Sequence, residues 1–210
     1  MKNSDKKPKE RKTKILAVGD IHGDTGLVRK LAERAKKEDV DLVILAGDLT
    51  FFESSTRNLI GPFVKAKKQV LLIPGNHESV ATTEFIAQMY SGTKSIHGYS
   101  FQKDDIGIFG AGGGDIINVT PDKEIFDLLK KGHEQIKNSK VKIMVTHMHP
   151  RGSKSEFSGW KGSEAVRKAI KKFRPDILIN SHIHEAGGIE EEIGKTKVIN
   201  VSRKAKVFEI

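Results

Sequence analysis

Eight histidines occur in the 210 residues, and six of them stand just beyond short apolar runs. Ile15-Leu16-Ala17-Val18-Gly19 ends in Asp20, with His22 close behind. The run from Leu42 to Gly47 ends in Asp48, and Val70-Leu71-Leu72-Ile73 passes through Pro74-Gly75 to Asn76 and His77. Val141 to Thr146 ends in His147, followed by His149, and Ile177 to Ser181 ends in His182, followed by His184. Carboxylate, carboxamide and imidazole offer hard oxygen and borderline nitrogen donors. Without sulfur, that mixture suits Mn, Fe, Zn, Co or Ni better than Ca. Each residue alone has a plain explanation: Asp20 a helix cap, Asp48 a strand-end turn, His147 a hydrogen-bonded loop histidine. Five such releases in succession are not explained that way.

The set Asp20-Ile21-His22, Gly47-Asp48, Gly75-Asn76-His77-Glu78, His147 and Ser181-His182-Ile183-His184, in this order over residues 15–184, resembles the motifs of the calcineurin-like metallophosphoesterase superfamily. Gly47-Asp48-Leu49-Thr50, Gly75-Asn76-His77-Glu78 and His182-Ile183-His184-Glu185 look most like the small cytosolic Icc-related group. One departure is Ser181, where the family has glycine; a positive φ or a close backbone approach there would favour glycine. The resemblance implies an α/β fold, a four-layer α/β/β/α sandwich with mixed sheets. It implies two divalent ions, Mn first, with Fe, Zn, Co or Ni as alternatives. Asp20, His22, Asp48 and His184 would hold one ion, and Asp48, Asn76, His147 and His182 the other. Seven ligands exceed the needs of one four-coordinate ion and suit two ions about 3.5–4 Å apart. The bridging Asp48 is a carboxylate, with two oxygens to share.

The activity implied is phosphoester hydrolysis, diesters favoured over monoesters, by a metal-bridging hydroxide with His77 as general acid. Asp24 and Glu78 are both candidates to orient His77. His149 is a candidate substrate contact, or simply the residue that precedes Pro150. Trp160 and Phe157 could stack on a nucleobase or anchor their own long loop. Two alternatives accompany this reading: a non-catalytic interaction scaffold of the same fold, and a nuclease variant of the same chemistry. The presence of His77 and all seven ligand positions speaks against the scaffold.

The elements that must position these residues follow from periodicity. Strands are expected at 14–19, 41–46, 69–73, 141–146 and 176–180, short β-branched or leucine runs of buried type. Helices are expected at about 25–38, 56–67, 82–90, from Thr120 as cap to about 138, and from Ser163 to Phe173. The strands are expected to present their carboxyl ends, where ligands bind in open α/β sheets. A hairpin at 96–102 and 105–109, turning at Lys103-Asp104, breaks the βα rhythm and predicts a mixed sheet. Gly110 to Gly114 reads as a flexible loop, either a substrate edge or a connector. Two or three short strands, at 188–193, 196–201 and 205–210, are expected after the last motif.

At this length one domain is expected over 14–210, with residues 1–13 as a basic, disordered tail. Net charge is +10, and residues 1–14 hold seven Lys or Arg against Asp5 and Glu10. No aromatic residue is interleaved there for base stacking, so nucleic acid is the less favoured partner. The expected partner is a small phosphate ester, a nucleotide among the candidates, and oligomeric state is left open. The chain has no cysteine, which excludes disulfides, thiolate metal sites and cysteine nucleophiles. No apolar run approaches the ~20 residues of a membrane helix, so no membrane and a cytoplasmic location are expected.

Overall fold

The computed structural model describes residues 11–54 and 56–210. In chain order its elements are β1 (Lys14–Val18), α1 (Thr25–Lys37), β2 (Leu42–Ala46), α2 (Gly61–Lys65), β3 (Gln69–Ile73), α3 (Val80–Met89), β4 (Thr93–Ser95), β5 (Ser100–Lys103), β6 (Ile106–Ala111), α4 (Asp122–Gln135), β7 (Val141–Thr146), α5 (Glu164–Phe173), β8 (Ile177–Asn180), β9 (Glu190–Ile193), β10 (Thr196–Asn200) and β11 (Lys206–Glu209), with two short 3₁₀ segments at Lys154–Ser158 and His184–Ala186. They form two sheets, ordered β11-β1-β2-β3-β4 and β5-β6-β7-β8-β10-β9. Both are mixed: β1 to β4 run parallel with β11 antiparallel, and β6, β7, β8 and β10 run parallel with β5 and β9 antiparallel.

Alternation along the strands makes the layers, since successive side chains point to opposite faces of a sheet. In the first sheet Leu16, Val18, Val43, Leu45, Val70 and Leu72 pack against α1, α2 and α3 through Val28, Leu31, Phe63 and Ile86. Their neighbours Ile15, Ala17, Leu42, Ile44, Leu71 and Ile73 face the second sheet and meet Ile108, Ile143, Val145, Ile179 and Ile199. The far face of the second sheet, with Phe109, Met144, Leu178 and Val198, is covered by Leu129, Val166, Ile170 and Phe173 of α4 and α5. Three apolar seams thus join four layers, α/β/β/α, as the resemblance implies.

Local chemistry sets the helix ends. Asp24 accepts the Leu27 amide at 2.8 Å to cap α1, whose last turn carries Arg34, Lys36 and Lys37 against the negative end of the helix. Ser163 accepts the Val166 amide at 3.2 Å and starts α5 as expected. Arg174 ends it in a left-handed conformation before Pro175.

Four details differ from the reading of the sequence. The helix expected over 56–67 shortens to Gly61–Lys65, because Pro62 is tolerated only in a first turn. The strand expected over 96–102 forms only at Ser100–Lys103, in the second sheet, and a separate strand before it, Thr93–Ser95, joins the first sheet beside β3. Between them Gly98 takes φ +72°, a turn that carries the chain from one sheet to the other. Gly110 and Ala111 belong to β6. Pro121, not Thr120, occupies the cap position of α4, and the Thr120 amide instead bonds Gly114 O at 2.9 Å. The first ten residues of the expected tail lie outside the described residues. Arg11 pairs with Asp39 at 2.8 Å, and Thr13 and Ile210 exchange two backbone hydrogen bonds at 3.0 Å each.

Candidate metal centre

Parallel pairing of β1, β2 and β3 brings their carboxyl ends to one edge, and the loops there carry Asp20, His22, Asp48, Asn76 and His77. The second sheet delivers His147 after β7 and His182 and His184 after β8. Gly19 hydrogen-bonds Val201 O, and Ser181 hydrogen-bonds His147 O, which ties the strand ends to each other. Asp20, His22, Asp48 and His182 have φ of 55°, 48°, 53° and 76°. Left-handed backbone at a non-glycine residue costs on the order of 1–3 kcal/mol and is concentrated at functional sites.

The side chains converge in three overlapping groups linked through Asp20, His22 and Asp48. Ligand-capable atoms of Asp20, His22 and His184 lie within 4.8 Å of one another, as do those of Asp20, Asp48 and His147, and of His22, Asp48 and His77. His22 Nε2 is 3.1 Å from His184 Nε2. His147 Nε2 is 3.0 Å from Asn76 Oδ1 and 3.2 Å from His182 Nδ1. Two donors about 2.0–2.1 Å from one ion at tetrahedral to octahedral angles stand roughly 2.8–3.4 Å apart. These spacings meet that requirement. Asp20 Oδ1 and the Nδ1 atoms of His22 and His77 are buried without a hydrogen-bond partner. A buried carboxylate oxygen left so is costly unless a cation takes it. The donor chemistry and the spacing therefore both fit divalent metal.

Neighbouring groups fix the orientation of several of these side chains. His147 Nδ1 lies 2.9 Å from Ala46 O, so this nitrogen carries the proton and Nε2 is free to bind metal. The Ser181 hydroxyl also donates to Ala46 O and lies 3.0 Å from His147 Nδ1. Serine at this departure from the family pattern has no positive φ, and its hydroxyl braces His147. Asp20 Oδ2 accepts from Ser202 Oγ at 2.6 Å and from the His182 amide at 3.0 Å. His182 Nε2 is 3.2 Å from Asp115 Oδ1, a carboxylate that leaves Nδ1 facing His147.

Neither carboxylate considered as a partner for His77 performs that task. Asp24 caps α1, and its other oxygen lies 3.8 Å from Arg203. Glu78 is buried and accepts the amides of Leu49, Thr50 and Gly75 at 3.2, 3.0 and 2.8 Å, with the Thr50 hydroxyl at 3.1 Å. It clamps the Asp48 loop to the Asn76 loop. His77 is instead held by its amide on Asp48 Oδ1 at 2.9 Å and by the rings of Phe51 and Phe52, at centroid distances of 5.4 and 4.3 Å. The His149 side chain is wholly buried. Ser202 and the bracing role of Ser181 are visible only in three dimensions. A signal for Asp115 was present, a carboxylate just after three glycines.

Glycine is required at Gly75. A Cβ there would lie 2.0 Å from Asp48 Oδ1 and 2.3 Å from Asp48 N. Gly75→Ala is expected to push the two loops apart and cost about 1–3 kcal/mol of stability, as overpacking does. Urea denaturation of the metal-free protein measures it; an unchanged midpoint would mean that the loops yield freely.

Electrostatics follow from burial. Burial opposes ionisation of Asp48, but His147 beside it and the His77 amide hold its carboxyl well below the usual range. Burial likewise opposes charge on His147, yet Asp48 and Asp20 push its pKa up to about 10. For Asp20 too, burial is outweighed, by His184, His147 and Ser202, and its pKa is lowered. Burial lowers the pKa of His22. Burial and Asp48 raise that of Glu78 despite its amide donors. The proton on His147 thus offsets the aspartate charge, a role that metal cations would assume on binding, with proton release.

The family model described as calcineurin-like phosphoesterase matches residues 13–186. Among solved structures, TT1561 of Thermus thermophilus is 17% identical with a TM-score of 0.75, covering 95% of this chain and 99% of that one. A dimetal phosphatase from Danio rerio is 12% identical with a TM-score of 0.61, covering 90% and 86%. A structure described as a novel archaeal phosphodiesterase is 17% identical with a TM-score of 0.55, covering 94% and 100%. At such identities these show a common fold alone. No curated protein matches the chain in sequence. The family match spans every strand end from which the clustered aspartates and histidines project, and the chain belongs to the calcineurin-like phosphoesterase family, as a metallophosphoesterase with His/Asp metal-binding groups.

Proposed function

We propose that the protein hydrolyses phosphodiester bonds with two divalent ions, Mn for preference. Asp20, His22, Asp48 and His184 hold the first ion, and Asp48, Asn76, His147 and His182 the second. The observation that carries this is the pair of donor clusters meeting at Asp48, whose Oδ2 lies 3.7 Å from His22 Nε2 and 3.5 Å from His147 Nε2. Ions in these positions would supply a Lewis acid for the phosphoryl oxygens and would lower the pKa of a bound water towards neutrality. The rest is done by the chain. Asn76 contributes an oxygen without charge, so the loaded centre stays positive and draws an anionic ester. His77 sits beside the centre, Nε2 3.8 Å from Asp48 Oδ2, and gives the departing alkoxide its proton. The Phe51 and Phe52 rings hold its imidazole in place.

The composition of the cleft supports a diester substrate. Its lining holds Phe51, Ile116 and Trp160 and one basic residue other than histidine, Arg203, which is already engaged by Asp20 O at 3.3 Å and Asp24 at 3.8 Å. A monoester dianion lacks further cationic partners there. No helix among the described residues is long and apolar enough to cross a membrane. We place the enzyme in the cytoplasm, with a soluble phosphate ester, a nucleotide among the candidates, as substrate.

The test is metal-stripped protein reloaded with Mn²⁺ and assayed on bis-p-nitrophenyl phosphate, p-nitrophenyl phosphate and 2′,3′-cyclic AMP. Metal-dependent diester hydrolysis that exceeds monoester hydrolysis is expected. His77→Ala separates the acid from the ligands. p-Nitrophenolate leaves without a proton, whereas a ribose alkoxide needs one, and general acids contribute about 10²–10⁴-fold. The variant is expected to lose at least tenfold more rate on the cyclic nucleotide than on the nitrophenyl diester. Equal losses, or a lower Mn²⁺ stoichiometry, would instead make His77 a ligand.

A further inference from the structure

Three loops each place one large apolar side chain into the metal cleft where solvent still reaches it. Phe51, after β2, is 50% exposed; Ile116, after β6, is 46% exposed; Trp160, after β7, is 51% exposed. Isolated surface apolar residues are ordinary, but their convergence on a polar centre from three separate strand ends marks a ligand surface.

The loops that carry them are pinned. Glu53, two residues beyond Phe51, accepts the Ser79 amide at 2.8 Å and the Thr82 hydroxyl at 3.1 Å, which ties that loop to the start of α3. Asn118, beyond Ile116, donates to Asn76 O at 3.0 Å. Glu156 accepts the amides of Gly152 and Gly162, both at 2.9 Å, and so draws together the loop around Trp160. The Phe51 ring is further set edge-on to Phe52, with centroids 4.5 Å apart, and tilted against His77. Walls already ordered before binding lose little entropy when a ligand arrives.

We propose that this cleft selects phosphodiesters that carry a planar aromatic group on the non-leaving side. The phosphoryl group lies at the His/Asp centre, and the ring lies against Phe51, Ile116 and Trp160. The inference rests on the reading of the centre as a phosphodiesterase. Two of the three walls are flat aromatic faces, which reward a stacked ring more than a flexible alkyl chain, and stacking accepts any π-face. The ring can be an aryl ester or a nucleobase attached through its sugar; the recognition is common to both.

The experiment compares phenyl, thymidine-5′ and methyl p-nitrophenyl phosphates on the Mn²⁺-loaded protein, each rate divided by that of hydroxide alone. All three share one leaving group, so only the other substituent differs. At least one ring-bearing ester is expected to exceed the methyl ester by about tenfold or more in kcat/KM, and which one does so identifies the source of the ring. Trp160 is the single tryptophan of the chain, so its emission reports binding directly. Phenylphosphonate is expected to quench it at concentrations about tenfold lower than methylphosphonate. Trp160→Ala is expected to bring the ring-to-methyl ratio down at least fivefold. Hydrolysis of all three esters at equal normalised rates would overturn the inference and leave the phosphodiesterase standing. Hydrolysis of none would overturn the reading beneath it. A dodecyl ester preferred over the ring-bearing esters would also overturn it, in favour of an alkyl chain.

Discussion

Asp48→Asn is expected to reduce metal-dependent diester hydrolysis by roughly 10³-fold or more, about 4 kcal/mol of transition-state stabilisation. The substitution is nearly isosteric. The remaining oxygen can still accept the His77 amide now bound at 2.9 Å, so the loop keeps its place. What is lost is the second anionic oxygen, which now faces His147, His22 and His77 at 3.5, 3.7 and 3.8 Å. A carboxamide puts a donor there, facing nitrogens that should share a cation. Elemental analysis after dialysis is expected to find fewer than two ions per chain. The metal-free variant offers a check independent of catalysis. Asp48 is the foremost group raising the His147 pKa to about 10, so that pKa should fall in the variant, measurable by NMR titration of the imidazole. In the metal-free wild type, stabilisation from protonated His147 is complete below its unfolded pKa near 6.5 and is lost as pH rises towards 10. The variant should lose most of that slope. Two tightly bound ions and near-normal turnover in Asp48→Asn would remove Asp48 as the bridge.

The largest stability effect is expected at Glu78. Glu78→Ala leaves the amides of Leu49, Thr50 and Gly75 without their acceptor in a buried site. Each orphaned donor costs about 1–3 kcal/mol, partly relieved where water enters, so a loss of about 3–5 kcal/mol is expected from chemical denaturation. Glu78→Gln keeps the volume but turns an NH₂ towards amide donors, and should fall between wild type and alanine. Metal affinity should fall with stability in both variants, because the clamp spans the loops of Asp48 and Asn76. A fully stable Glu78→Ala would show that these loops hold without the carboxylate.

The strands were legible because they are buried on both faces, so that Leu42–Ala46 is apolar throughout and buried at each position. The candidate ligands were legible for a related reason. A polar, metal-capable residue just past an apolar run stands at the strand's carboxyl end, whatever the sheet order. Sheet membership was not legible. Nothing in the pattern from Ile96 to Gln102 says that Thr93–Ser95 pairs with β3 while Ser100–Lys103 pairs with β6. That assignment depends on the turn at Gly98 and on packing from both sides. Contacts made through intermediaries were equally hidden. Asp115 reaches His182, and Ser202 reaches Asp20, across separations that no local pattern encodes. Glu78 shows the converse error. Its place beside His77 suggested a partner for that ring, but a side chain adjacent in sequence turned to the backbone of two other loops.

Ser202 grips Asp20 across 182 residues, and β11 closes the outer edge of β1. A ribosome delivers Asp20 early and Ser202 late. Until residues 206–209 emerge, β1 has a bare edge, open to pairing with a neighbouring nascent chain. Asp20 also lacks the hydroxyl that points its carboxylate inward. A divalent ion held through Asp20 would therefore be loaded only once the two ends of this segment have met.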